Sequence, residues 1–182
     1  MRQKRNWQVS GLAGVVLCGL WFSPACQANV PITITATIIE PACSVTDMTG
    51  NSRTEVDFES VQVDDVYAGT VRQPLPVKVT CDGRAPTGKT LKMSLTPVAG
   101  GTMAYAGRTV LGTSVPGLGI AVTDRDDNPV TPETWVPVSG VTGVDTPAGT
   151  VDLQATLVSE KTTADLKAGA FTASASLVMA YQ

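Results

Sequence analysis

Along much of this chain apolar and polar residues change places at every step. Near the start, Val30, Ile32, Ile34, Ala36 and Ile38 fall on every second position, with Thr33, Thr35 and Thr37 between the later ones. A period of two places those five apolar side chains on one face of a strand. The β-branched Ile and Thr residues suit a pleated backbone better than a helix. The same period returns in Leu75–Cys81, in Leu91–Leu95, in Pro116–Asp124, in Val151–Val158 and in Phe171–Gln182. Pro97 is expected to stop the Leu91 strand, and Pro74 and Pro76 to place the start of the Leu75 strand at an edge or an entry. Val56–Phe58 and Trp135–Val138 are shorter candidates. One helical piece is expected, over Glu160–Ala168, and it is too short to shape the fold. Gly, Pro, Asp, Asn and Thr mark the gaps. Many short strands with such punctuation predict a single all-β domain, an antiparallel sandwich or barrel.

The two longest alternating segments are the first and the last. On the last, Phe171, Ala173, Ala175, Leu177, Met179 and Tyr181 share a face. Nothing remains after it to form another strand, so one flank of it is expected to lack a partner. An unpaired apolar edge invites pairing with another chain, which points to assembly.

The first 28 residues change the picture of what folds. Arg2, Lys4 and Arg5 precede an apolar run from Val9 to Phe22, and Pro24 and Cys26-Gln27-Ala28 follow. A basic start, a short apolar stretch and a small-residue cut describe a secretory signal peptide; the run is too short for a membrane anchor. Cleavage after Ala25 would leave Cys26 first, but Ser23 stands where a lipid-attachment signal usually has Leu, so cleavage is expected after Ala28. Ten basic residues then face sixteen acidic ones, a net charge of −6. Phosphate repels so acidic a chain, so no nucleic-acid partner is expected, and no segment of the mature chain suits a membrane span. Cys43 and Cys81 remain, and two cysteines in an exported chain most simply form one disulfide.

Three motifs carry chemistry on paper. Gly83-Arg84-Ala85-Pro86-Thr87-Gly88-Lys89-Thr90 fits a phosphate loop, but that chemistry needs a helix next, and Leu91–Leu95 has the period of a strand. Asp124-x-Asp126-x-Asn128 imitates the opening of a calcium loop, yet Pro129 and Trp135 occupy the places of its turn glycine and closing carboxylate. A hairpin turn is expected there, and no metal or cofactor. The sequence has no histidine, hence no Ser–His or Cys–His nucleophile. Acidic pairs such as Asp64-Asp65 read as solvated surface, and no enzyme is expected.

The mature chain resembles the pilin subunits of bacterial chaperone–usher fimbriae, in particular small non-adhesin subunits of pilus tips. The arm Val30–Ile38 ahead of Pro41-Ala42-Cys43, the second cysteine closing Leu-Pro-Val-Lys-Val-Thr-Cys81, and Gly117–Val122 carry the likeness. So do Gly169, fourteen residues from the end, and the next-to-last Tyr181. The resemblance implies an incomplete immunoglobulin-like β-sandwich lacking its last strand, with an N-terminal donor-strand arm. It divides the chain into a signal peptide (1–28), an arm (29–39) and a pilin domain (40–182). A periplasmic pilus chaperone would lend a strand to the open groove. At the outer-membrane usher, the arm of a neighbouring pilin would replace it. Val30, Ile32, Ile34, Ala36 and Ile38 would be the donor residues. Gly169, Phe171, Ala173, Ala175, Leu177, Met179, Tyr181 and Gln182 would form the acceptor groove and the face the chaperone reads. The protein would travel through the periplasm to a cell-surface fimbria. Ala36 departs from the family, which usually has Gly there because the donor passes closest to the groove floor. The alternative is a self-sufficient exported sandwich that binds a carbohydrate or another small ligand.

Overall fold

Alternation becomes two antiparallel sheets. The computed structural model describes residues 41–160 and 165–182, so the signal segment and the arm 29–39 lie outside the described residues. The larger sheet runs β1 (Cys43–Thr46), β2 (Arg72–Cys81), β9 (Ala148–Ser159), β6 (Leu118–Asp124), β5 (Arg108–Gly112), β4 (Thr102–Tyr105). The short β8 (Val141–Thr142) also pairs with β9. The smaller sheet runs β10 (Ser174–Tyr181), β3 (Leu91–Ala99), β7 (Val136–Pro137). Among the described residues one helix, α1 (Val63–Ala68), lies against β9. No helix among the described residues is long and apolar enough to cross a membrane.

The core sits where the inward positions of both sheets meet. Val77, Val79 and Cys81 of β2, Val151 and Leu153 of β9, Met93 and Leu95 of β3, and Met179 and Tyr181 of β10 form one buried cluster. A second cluster gathers Phe58, Val66, Leu118, Ala155, Leu157 and Leu166 under α1. Leu157 is wholly excluded from solvent, and burying a side chain of that size stabilises the fold by about 1.5–3 kcal/mol. Cys43 and Cys81 are register partners at the start of β1 and form the expected disulfide, with their Cα atoms 4.0 Å apart.

Several local expectations are corrected. Pro97 does not end β3, which runs on to Ala99. The reason is its side of the ladder. Leu95 accepts a bond from Glu133 N–H, and Val138 N–H donates to Leu91 O. Odd-numbered residues of β3 therefore face β7, and β7 pairs only with Lys92 and Met93. The nitrogen of Pro97 points where no described strand lies, so no bond to a described strand is lost. Val56–Phe58 is not a strand; Phe58 is a buried plug of the second cluster. The helical piece expected over Glu160–Ala168 falls partly on residues that are not described. Residues 161–164 of that stretch lie outside the described residues, and Asp165 and Leu166 form a turn and a bend.

The helix that does form, α1, places Asp64 and Asp65 in its first turn, where the dipole favours negative charge. It stops at Gly69, whose φ of 64° is the left-handed cap. The hairpin β4–β5 is also new. Ala106 and Gly107 connect it with φ of 48° and 74°, the two left-handed residues of a type I′ turn. The Glu160 carboxylate accepts the Ala106 N–H at 2.9 Å and holds the turn.

A candidate strand-accepting edge

β10 is an edge strand. On one side it pairs with β3, from Ser174↔Ala99 to Tyr181↔Leu91; on the other, no described strand joins it. Beyond Tyr181, Gln182 and Thr90 exchange both backbone bonds, each 2.9 Å. An antiparallel ladder alternates between such pairs and pairs whose groups point away. Ala180, Val178 and Ser176 therefore face β3, while Tyr181, Met179, Leu177 and Ala175 direct N–H and C=O to the bare side. The same four residues turn their side chains inward: Tyr181 and Met179 are buried, Leu177 and Ala175 half-buried. This edge thus offers a row of free backbone groups directly above apolar side chains.

At its N-terminal end the edge runs into a cleft of about 490 Å³. Val56, Phe58, Val61, Leu118, Leu157 and the run from Leu166 to Phe171 are among the residues that line it. The rings of Phe58 and Phe171 lie 6.2 Å apart, tilted by 45°. Ser114 ties down the approach to β10: its N–H donates to Thr172 O, and its hydroxyl accepts the Thr172 N–H, both at 2.9 Å.

The other end of β10 meets the place where the chain enters the domain. Ala42 N–H donates to Asp82 Oδ1 at 2.8 Å, and Asp82 N–H donates to Ala42 O at 3.0 Å. Pro41 lies so close to Gly83 that a Cβ there would meet the proline ring at 3.3 Å. Burial, with the nearby Asp82 charge added, pushes the Tyr181 phenol above its ordinary pKa of 10.0. The Tyr181 hydroxyl is buried and has no hydrogen-bond partner among the described residues.

This arrangement has relatives. The family model of the fimbrial proteins matches residues 32–182. The chain belongs to that family. Three solved structures share the fimbrial protein's fold. The P pilus rod subunit PapA is 18% identical with a TM-score of 0.54, covering 84% of this chain and 100% of its own. A chain from the structure of a chaperone–usher pilus is 19% identical with a TM-score of 0.55, covering 86% of this chain and 97% of its own. The P pilus adaptor subunit PapF is 21% identical with a TM-score of 0.52, covering 78% of this chain and 96% of its own. None of the curated proteins matches the chain in sequence.

Of the residues named from the sequence, Ala175, Leu177, Met179 and Tyr181 stand along the bare edge, and Gln182 closes its ladder with Thr90. Ala173 is half-buried just ahead of β10, while Phe171 and Gly169 belong to the cleft. Val30, Ile32, Ile34, Ala36 and Ile38 lie outside the described residues. Val56, Phe58 and Leu166, which line the cleft, were not expected at the site from the sequence; their apolar character in otherwise polar loops was the available signal. Gly83–Thr90 is a loop that leads into β3, a strand where a phosphate loop needs a helix. Asp124 spends its carboxylate on the turn, accepting the N–H groups of Asp126 (2.9 Å) and Asn128 (2.8 Å) and the Asn128 side-chain amide (3.0 Å).

Proposed function

We propose that this fimbrial protein is a structural subunit of a chaperone–usher pilus and polymerises by strand exchange at β10. It is folded with the help of a periplasmic chaperone and handed over at an outer-membrane usher. Its role is mechanical and not enzymatic, and its destination is the cell-surface fimbria. The observation that carries this reading is the bare edge of β10, where four residues present both free backbone groups and inward apolar side chains. The arm Val30–Ile38 is the matching ligand, an alternating sequence of nine residues. Extended, it spans about 30 Å, against about 27 Å for the eight residues of β10.

Direction follows from the two ends of the edge. Each subunit's own arm departs beside Asp82 and Tyr181. An arm entering antiparallel to β10 brings its donor's domain to the Phe171 end, away from that departure point, and the assembly continues in a line. A parallel arm would bring the donor's domain to the end where the acceptor's own arm leaves. The contact is head-to-tail and does not close on itself, as a fibre requires.

A minor position, as an adaptor or tip subunit, is the further part of the proposal. Ala36 in place of the family's usual glycine suits a partner groove wider at that point, and this supports unlike neighbours over a rod of identical copies. Deleting Asn29–Ile39 from the chain in fimbriated cells tests the donor role. The truncated subunit is expected to be absent from the position that the intact subunit takes in the fibre. Its appearance in polymers at the position of the intact subunit sinks the reading.

A further inference from the structure

The prolines inside strands share one orientation. In β2, Cys81 N–H donates to Pro147 O at 2.8 Å, on the β9 side, and Asp82 N–H donates to Ala42 O at 3.0 Å, on the β1 side. Successive residues of an antiparallel strand face opposite neighbours. The register is unbroken from Cys81 to Arg72, so residues 80, 78, 76, 74 and 72 all face the β1 side. β1 ends at Thr46, opposite Lys78. Past that point the edge of β2 is bare among the described residues, and its outward-facing positions are Arg72, Pro74 and Pro76. Proline has no N–H to donate, so two of the three donors that an incoming strand needs are missing.

The smaller sheet repeats the pattern. Pro97 faces the side that β7 leaves uncovered. Val138 N–H bonds to Leu91 O, so Pro137 points to the outer edge of β7. By contrast, Ala175, Leu177, Met179 and Tyr181 keep every N–H on the bare edge of β10. The contrast matters because the two long bare edges border the same region. Val71, at the head of β2, and Phe171, ahead of β10, pack on the same cluster around Leu157. A strand arriving there meets both edges, and its alternation suits either.

We propose that Pro74 and Pro76 determine which edge accepts a strand. They silence the bare edge of β2, confine strand addition to β10, and keep two subunits from pairing through their β2 strands. The inference rests on the strand-accepting reading above. Its test uses the full mature chain bound to the pilus chaperone, which in that reading covers β10 and leaves the β2 edge as the long one open. Sedimentation velocity over a range of concentrations is the measurement. The wild-type complex is expected to sediment as one chaperone with one subunit throughout. The Pro74→Thr/Pro76→Thr complex, with both N–H groups restored, is expected to shift to a species holding two complexes. A variant complex that sediments like the wild type overturns the proposal. Where the double variant fails to fold, Pro74→Thr alone, at an exposed position, is expected to give a smaller shift in the same direction, and no shift overturns it equally. A wild-type chain that forms no chaperone complex sinks the strand-accepting reading instead, and this inference with it.

Discussion

The hydrogen-bond parity of β10 fixes which amides of an incoming arm do the binding. Tyr181, Met179, Leu177 and Ala175 face the bare side, and their side chains point inward. Directly opposed residues in an antiparallel pair have side chains on the same face. Under the proposed strand exchange, the arm residues expected to exchange bonds with β10 are therefore its inward ones, Ile32, Ile34 and Ala36, while the amides of Thr33 and Thr35 would point away. A synthetic peptide covering Asn29–Ile39, N-methylated at a single position, separates the two sets. Methylation at Ile34 removes one N–H and leaves a β10 carbonyl buried without a partner, at a cost of about 1–3 kcal/mol. At 1.4 kcal/mol per tenfold, that is roughly a 5- to 150-fold loss of affinity. The methyl group also projects into a gap of only about 4.8 Å between strands, which pushes the loss toward the upper figure. Methylation at Thr33 or Thr35 is expected to cost less than one bond. The assay is displacement of the chaperone from the full mature chain by fluorescently labelled peptide, followed by anisotropy. Equal losses at Ile34 and Thr33 would refute the parity argument. Greater loss at the threonines would mean that the arm runs parallel to β10, where the alternate set of amides makes the bonds.

Three further outcomes follow from the same structure. Replacing Cys43 and Cys81 by Ser opens a loop of sequence separation 38; chain entropy puts the loss at about 4 kcal/mol, seen as a lower urea midpoint for the chaperone-bound subunit. Tyr181→Phe removes a buried hydroxyl with no partner and is expected to leave stability unchanged or raised. Because the folded-state pKa of Tyr181 lies above the unfolded value of 10.0, the native state binds more protons above that pH. Wild-type stability therefore falls as pH rises past 10, and thermal melts from pH 9 to 11 should show a shallower fall in the Phe variant. Gly149→Ala in β9 places a methyl group inside contact distance of the Gly140 carbonyl, which belongs to the backbone. A loss of about 1–3 kcal/mol is expected, as for other overpacked sites, and an unchanged melting temperature would contradict the packing of β8 on β9.

What the sequence disclosed was the part of the fold built on a long period of two. β2, β9 and β10 carry the period of two over seven residues or more, long enough to tell a strand from chance. The exported context made one disulfide the simplest use of Cys43 and Cys81. α1 was hidden because six residues show less than two turns of periodicity, and its one buried side chain, Val66, makes no stripe. The β4–β5 hairpin was hidden because its turn is Ala106-Gly107 in place of Asn-Gly, with the left-handed alanine held by Glu160 from 54 residues away. Pro97 misled for a related reason: a proline ends a strand only if its missing N–H faces a partner, and facing is set by register. Half the candidate site was legible, because inward positions on β10 follow from alternation alone. The cleft at its head was not, because Phe58 and Leu166 reach it from separate loops.

The disulfide at the base of the arm has a mechanical consequence. A pull on the chain ahead of Pro41 arrives at Cys43, where the covalent link to Cys81 lies directly opposite. Tension passes through that link into β2 and bypasses β1, which is held to β2 by four residue pairs. β2 is in register with β9 over nine residue pairs, the longest ladder of the larger sheet. A short edge strand is thereby taken out of the load path.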